Sequence, residues 1–383
     1  MDPITHALAG CAIADAGFRR RLGPRSVAAG ALLAASPDID LFFRWFPGLR
    51  TRFDGLADVW FTHRALTHAF SVQLAMAVPL GLLAYLCGRR AGGRWSWMLL
   101  ALLALFSHTL LDLANSWGTR AFLPWSEAWA AWDALPIIDF WVTGALLLSC
   151  LAGRWLWRRA DHASGVDWKR PPDNSALGGD GPAPRRARAG IAASGLAFAA
   201  LAFIAWHIWL EIGSTRSIRA AVAAEWRADG FDAATIRAMP AFPAGRFRWV
   251  VGRDLAGGAR AAMAGDGQGR VLPLGECSYP AVRDPRAEQA LSSDRGQAIV
   301  RRTGGALGVS ITEDPNGQLA TVWLHDLRIF RFDANASGPP VRAWRFDFDS
   351  RGELAREDFF QNRSFRLADA WKAYNTLRGG RGE

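Results

Sequence analysis

The sequence predicts an α-helical membrane domain, with four long transmembrane helices plus two short N-terminal helices, followed by a mainly β extracytoplasmic domain. Three observations predict it. Half of the 383 residues are hydrophobic and only 21% are charged, and the apolar ones gather in nearly charge-free runs before residue 211. The arginines of that half lie in the short loops between the runs. Beyond Leu210 the runs give way to short alternating stretches bounded by turn residues.

Two short apolar segments come first, Ile4–Ala14 and Ser26–Ser36. At about a dozen residues each they predict short or partly embedded helices, because a span needs roughly 20. The N-terminus has no basic region of the kind that precedes a cleaved signal sequence, so this stretch is expected to remain. Four longer runs follow: Ser71–Cys87, Trp95–Leu111, Phe140–Gly153 (extended by Ile137, Ile138 and Trp155–Trp157) and Ala189–Leu210. Each approaches the length that crosses a bilayer. In Pro124–Pro136, Trp125, Trp129 and Trp132 recur at i, i+4 and i+7. That spacing predicts a short helix with a tryptophan face, lying in the headgroup layer or packed on the other helices. Further on, Thr215–Gly230 reads as an arginine-rich helix, and RFRWVVGRD, QAIVRRTG, ATVWLHDLRIFRFD and VRAWRFDFDSRGE read as strands. The organisation expected is a membrane-embedded domain over 1–157, a flexible basic linker over 158–188, a transmembrane helix over 189–211, and an α+β, mainly β, domain over 212–383.

The formal charge is +10, but its distribution argues against nucleic acid as a partner and for a lipid bilayer. Arg19, Arg20, Arg21 and Arg25 form one basic loop, Arg89, Arg90 and Arg94 a second, and the linker 154–188 a third. If every segment crosses, these three loops share one side, which the positive-inside rule assigns to the cytoplasm. The opposite side receives 37–64, 115–136, the N-terminus and everything beyond about residue 211. Its two loops carry only Arg44, Arg50, Arg52, Arg64 and Arg120. Four cysteines, Cys11, Cys87, Cys150 and Cys277, form no Cys-x-x-Cys and imply no disulfide framework.

The same topology places His6, Asp38, Asp40, His63, His68, His108, Asp112 and Asp139 at the outer ends of their segments. Ionisable groups at membrane depth are costly and mark function by default. Imidazoles and carboxylates gathered at one depth point to a metal. His108 and Asp112 are i, i+4 and share a helical face, suited to one ion or to a carboxylate orienting a histidine. Asp38 and Asp40 would point the same way on an extended chain, although Ser-Pro-Asp is also ordinary helix-end punctuation. His63 and His68 are separated by roughly 140° on a helix. Both reach one site only if the helix begins between them, with Thr62 or His63 near its cap. Arg64 and His68 would then share a face. His68 is the expected ligand, with His63 and Arg64 on an anionic substrate.

PITHALAG, SPDID, THRALTH and SHTLLDLANSWGTR, in that order, resemble the YdjM-type membrane proteins, described as metal-dependent hydrolases of the bacterial inner membrane. The resemblance covers roughly residues 1–150, and WLHDLR at Trp323–Arg328 resembles a segment of that family's C-terminal region. The order His, Asp, His, His-x-x-x-Asp is also similar, more remotely, to the zinc phospholipase C and P1 nuclease group. That likeness implies His6, Asp38 or Asp40, His68, His108 and Asp112 as metal ligands. The chain departs from that group in having no second His-x-x-x-Glu after Asp112, with Asp133 or Asp139 as stand-ins, so one or two divalent ions, zinc by analogy, are expected.

Two functions fit. In the first, the chain is a metal-dependent hydrolase at the outer membrane face, acting on an amphiphilic or other phosphoester. Asp38 or Asp40 takes a proton, Arg64 and Arg120 hold phosphate oxygens, and Asn115 and Gly118 shape the rim. In the second, a metal or polar cluster braces the helices and the β domain binds a partner. The ligand-type residues at one depth favour the enzyme. His162 is expected to be solvated, His325 to be half-buried on a strand, and Asp326 to pair with Arg328.

Overall fold

The computed structural model describes residues 1–43, 63–88, 92–164, 183–241, 247–265, 271–314, 319–328 and 342–361. Arg44, Arg50, Arg52, Phe61 and Thr62 lie outside these, as does the stretch after Arg328 up to residue 341. The chain divides into two units. The first holds Met1–Leu113, Thr119–Ala130 and Ile137–Trp209; the second holds Ala114–Gly118, Ala131–Pro136 and Leu210–Glu383.

The first unit is helical. The order is α1 (Pro3–Gly17), α2 (Arg19–Leu22), α3 (Arg25–Ala35), a 3-10 turn over Ser36–Ile39, α4 (Asp40–Phe43), a second 3-10 turn over Leu66–His68, α5 (Phe70–Cys87), α6 (Arg94–Leu113), α7 (Phe140–Ser164) and α8 (Ala183–Arg227). Four stretches are long and apolar enough to cross a membrane: Phe70–Cys87, Arg94–Leu113, Phe140–Ala160 and Ala187–Arg227. The Asp2 carboxylate starts α1 by accepting from the Thr5 N–H at 3.0 Å, with Pro3 at the first helical position. α1 and α3 cross at a pair of glycines. A Cβ on Gly10 would lie 2.1 Å from the Gly30 carbonyl oxygen, and one on Gly30 would lie 2.4 Å from that of Gly10. Ala14, Leu22, Leu33, Trp97, Leu100 and Leu105 pack the core between α1, α3, α5 and α6.

Two helices run farther than the linker and span boundaries expected from sequence. α7 continues to Ser164 and α8 begins at Ala183, so residues 158–164 and 183–188 are helical. Helix end and tryptophan reinforce one another here: Arg159 lies over Trp155, one turn back, at 4.2 Å. Past residue 211, α8 continues to Arg227, so the apolar run and the arginine-rich helix are one element.

The short helix expected over Pro124–Pro136 is not formed. Residues 126–136 form no helix, with isolated bridges at Ala130 and Leu135. Their backbone groups are committed elsewhere: Ala130 exchanges hydrogen bonds with Thr119, and the Ala134 and Leu135 N–H groups both donate to the Ala114 carbonyl. Asp133 also has φ 52, which a helix does not accept. The three tryptophans therefore share no helical face.

The second unit contains two four-stranded antiparallel sheets of order β1-β2-β3-β4 and β5-β6-β7-β8. Their strands are β1 (Arg237–Pro240), β2 (Arg248–Arg253), β3 (Ala259–Ala264), β4 (Val271–Tyr279), β5 (Leu307–Glu313), β6 (Ala320–Asp326), β7 (Arg342–Phe348) and β8 (Leu354–Gln361). Ile218, Val222 and Trp226, from the end of α8, pack with Val250 and Ala262 of the first sheet. Two helices, α9 (Pro285–Ser292) and α10 (Asp294–Thr303), pack Ala287, Ala290 and Ile299 with Leu307, Val322, Leu324 and Phe346 of the second. QAIVRRTG, read as a strand, thus belongs to a helix. Ser293 caps its start by accepting from the Gly296 N–H at 3.0 Å, and Gly304, at φ 61, ends it. Its buried residues Gly296, Ile299 and Thr303 follow the helical period and not alternation. The Asp284 side chain caps α9, and its hydrogen bond from Arg286 holds the carboxyl below its ordinary value.

The glycine crossing makes a prediction. Gly10→Ala forces α1 and α3 apart, at a cost of about 1–3 kcal/mol. Gly144→Ala, where nothing lies within 4 Å of the added carbon, leaves stability unchanged or slightly higher. Thermal denaturation of the two variants in detergent should separate them clearly.

Candidate metal centre

Each polar residue of this centre sits where a helix starts or stops. His6 is in the first turns of α1, Asp38 in the 3-10 turn after α3, and Asp40 at the first position of α4. His63 and His68 flank the turn that leads into α5, and His108 and Asp112 lie in the last turns of α6. His6, His68, His108 and Asp112 are buried, at 0 to 1% exposure.

Four atoms converge. His68 Nε2 and His108 Nε2 are 3.0 Å apart. Asp38 Oδ1 lies 3.6 Å from the first and 3.5 Å from the second. Asp112 Oδ2 lies 3.4 Å and 3.8 Å from the same two. Ligand atoms about 2.0–2.1 Å from a tetrahedral ion stand roughly 3.3–3.4 Å from one another. The observed separations bracket that edge. His6 joins Asp38 and His108 in an overlapping group, its ring stacked on His108 at 3.7 Å, and Asp38, His63 and His68 form a third.

The outer nitrogens decide the protonation of the inner ones. His108 Nδ1 is 2.7 Å from the Ala34 carbonyl, which can only accept, so Nδ1 carries the proton and Nε2 a lone pair. His68 Nδ1 is 2.9 Å from Thr67 Oγ1, whose own proton goes to Asp40 Oδ2 at 2.9 Å. The hydroxyl must therefore accept from His68, whose Nε2 also keeps its lone pair. Two lone pairs facing each other at 3.0 Å repel unless a proton or a cation stands between them. Two carboxylates closing on the same point suit a divalent ion better than one proton.

The surroundings hold these rings in place. Thr109 Oγ1 donates to the His68 carbonyl at 2.9 Å, and Gln73 Nε2 donates to Thr109 Oγ1 at 2.7 Å and to the Thr67 carbonyl at 3.1 Å. Asp40 accepts from His63 Nδ1 at 2.8 Å and from the Arg64 N–H at 3.2 Å. Arg64 has φ 71, in the left-handed region uncommon for a side chain of its size. That backbone is pinned by Arg120 N–H at 2.9 Å and Thr119 Oγ1 at 3.1 Å, both donating to its carbonyl. The Arg64 guanidinium reaches Asp112 at 3.1 Å. The Met1 α-amino group also contacts Asp112 and lies 3.1 Å from His6 Nε2.

Several sequence expectations change here. Asp38 and Asp40 are not on an extended chain: the backbone turns through them, so Asp38 faces His68 and His108 while Asp40 faces His63 and Thr67. No helix begins between His63 and His68. Both precede α5, and a 3-10 turn brings their rings edge-on at 5.4 Å. Arg64 and His68 accordingly share no helical face. The Arg120 guanidinium lies over the Trp129 ring at 5.3 Å. Asp139 caps α7 and lies 3.4 Å from His207, and Asp133 pairs with Arg237 at 2.7 Å, so each has a role of its own. Thr67, Gln73, Thr109 and the Ala34 carbonyl were not anticipated. Gln73 was the one amide inside an apolar run, which was the available signal.

A multi-span membrane protein with a buried histidine–aspartate centre at the ends of its helices is the class that this fold and site define. Within it, the chain belongs to the YdjM inner membrane protein family, whose model matches residues 1–168. It is 30% identical over 184 residues to Inner membrane protein YbcI of Escherichia coli (strain K12), covering 41% of this chain and 97% of that protein. No solved structure matches the chain.

The geometry predicts that His68→Ala and His108→Ala each abolish retention of a divalent ion, and that Thr67→Val weakens it by about 10–100-fold. Elemental analysis of purified protein checks this, and full metal content in His68→Ala would refute a single shared site.

Proposed function

We propose that this chain is a membrane-bound metal-dependent hydrolase that cleaves phosphoesters, lipid-linked ones included, at the outer face of the inner membrane. The observation that carries the reading is the approach of His68 Nε2 and His108 Nε2 to 3.0 Å, closed by Asp38 and Asp112. His6, Asp38, His68, His108 and Asp112 would hold one or two divalent ions, zinc being the best match to a nitrogen and carboxylate donor set. Such an ion supplies Lewis-acid polarisation of a phosphoryl oxygen and acidification of water.

The protein's own groups supply the rest. The His63 Nδ1–H donates a hydrogen bond to Asp40 at 2.8 Å, which leaves Nε2 as the nitrogen that can accept a proton. Its side chain is 18% exposed, against 0% for His68, so it is open to exchange a proton with substrate or water. Asp40 orients it and serves His68 through Thr67 as well. Arg64, fixed by its strained backbone, presents a guanidinium beside Asp112 for an anionic oxygen.

Depth supports the outer face. Along α6, Asp112 follows Trp95 by 17 residues, about 25 Å of rise, against a hydrocarbon core of about 30 Å. Trp95 is exposed, with Arg94 over its ring at 5.5 Å, as suits the basic cytoplasmic interface. The centre then lies near the opposite interface, where an amphiphile's headgroup resides. The basic loops, through the positive-inside rule, support an extracytoplasmic location for the residues that follow the apolar run of α8.

Two measurements test this. In a screen of phosphomonoesters and phosphodiesters, His63→Ala should lower kcat by about 10²-fold while metal content persists. Metal bound with no turnover of any phosphoester would favour a bracing role for the centre. A periplasm-active phosphatase fused after residue 215 should be active; an inactive phosphatase with a fluorescent cytoplasmic reporter at that point would reverse the orientation.

A further inference from the structure

The motifs ANSWGTR and WLHDLR, far apart in the chain, meet in the second unit. Arg328 forms a two-point pair with Asp326, Nε to Oδ1 and Nη2 to Oδ2 both at 2.8 Å, with the side chains 2% and 0% exposed. Its remaining nitrogen, Nη1, donates to the Trp117 carbonyl at 3.2 Å and the Arg302 carbonyl at 2.9 Å, and the guanidinium lies over the Trp117 ring at 5.0 Å. Arg237, from the other sheet, repeats the pattern. It pairs with Asp133 at 3.2 and 2.7 Å and donates to the Thr303 carbonyl at 2.9 Å and the Ser116 carbonyl at 3.4 Å.

Each arginine thus bridges two carbonyls: one at the end of α10, where helix carbonyls lack internal partners, and one in Ser116–Trp117. The same short segment is held from its other side. The Ala134 and Leu135 N–H groups donate to the Ala114 carbonyl at 2.9 and 2.8 Å, and the Asn115 side chain accepts from the Trp117 N–H at 2.9 Å. A surface loop needs none of this. The segment begins at Ala114, two residues after Asp112 and directly after the last residue of α6.

We propose that Arg328 and Arg237 are positioning residues for the metal centre: by fixing residues 114–118 they fix the last turns of α6, which carry His108 and Asp112. The inference rests on the metal reading above, and its test separates the two. The bidentate pairs and the carbonyl forks require guanidinium geometry, so lysine is not an equivalent.

The experiment uses the full chain in lipid nanodiscs, with Arg328→Gln, Arg328→Lys, Arg237→Gln and the milder Trp117→Ala, which leaves the Arg328–Asp326 pair intact. Two readouts are taken: titration with Co²⁺ followed by its visible spectrum, and amide exchange over residues 108–115. The expected result is cobalt binding weakened at least about tenfold, with an altered spectrum and faster exchange over 108–115. Arg328→Lys should resemble Arg328→Gln. Wild-type cobalt affinity, spectrum and exchange in folded Trp117→Ala and Arg237→Gln would overturn the proposal. If the wild-type chain takes up no cobalt, the metal reading fails and exchange alone decides: unchanged exchange sinks the positioning role, and faster exchange sustains it.

Discussion

The Asp112 carboxylate is 1% exposed, near the end of an apolar helix, and the arrangement of the helical unit follows from having to neutralise it. An unpaired charge so placed costs several kcal/mol. Its partners therefore come from every side: the Arg64 guanidinium, the imidazole of His6 at 3.4 Å and the Met1 α-amino group. Arg64 can reach it only from a chain that turns sharply between α4 and α5, hence the left-handed backbone and the hydrogen bonds that pin it. His6 reaches it from α1, which packs on α6 as well as on α3, and α1 meets α3 at two glycines where any side chain would strike a carbonyl.

The parts of this architecture that were legible in the sequence are those written in one-dimensional patterns. Runs without charge marked the four helices long and apolar enough to cross a membrane. The i, i+4 spacing of His108 and Asp112 correctly placed both on one face of α6. The misreadings have a common cause. Trp125, Trp129 and Trp132 have helical spacing, but the hydrogen bonds of that segment go to Thr119 and Ala114, which no local pattern reveals. In QAIVRRTG the Ala-Ile-Val run looks like a strand until Ser293 and Gly304 are recognised as caps. His63 and His68 looked ill-spaced because a helix was assumed; a 3-10 turn followed by an extended residue removes the difficulty. In each case long-range bonding or end chemistry overrides a short-range pattern.

The second unit shows the same principle on a larger scale. WLHDLR read as a strand with an ion pair, and the pair is present, but it is buried and its spare donor goes to a residue 211 positions away. ANSWGTR read as the rim of a site. Its carbonyls are held by two arginines and by the Ala134 and Leu135 N–H groups. His325, expected on a strand, is on one, with Ser310 Oγ 2.7 Å from its Nε2. Such residues carry no periodicity that sequence reading could use, because their partners are set by tertiary proximity alone.

Charge sets an order of events at the proposed centre. Asp38, Asp40 and Asp112 bring three negative charges, and the Arg64 guanidinium and the Met1 α-amino group oppose them, so a net negative charge remains in a poorly solvated place. Neutral imidazoles do not change that count. An anionic phosphoester would be repelled by such a site, and a divalent cation strongly attracted. A divalent ion would cancel that charge, so on the proposed reading metal would precede an anionic substrate. The apolar helices around the centre strengthen both effects, since the same low dielectric that penalises unpaired carboxylates amplifies the pull on the ion that pairs them. On the proposed reading, the ion that relieves the cost of burying this cluster would also let it hold an anionic headgroup.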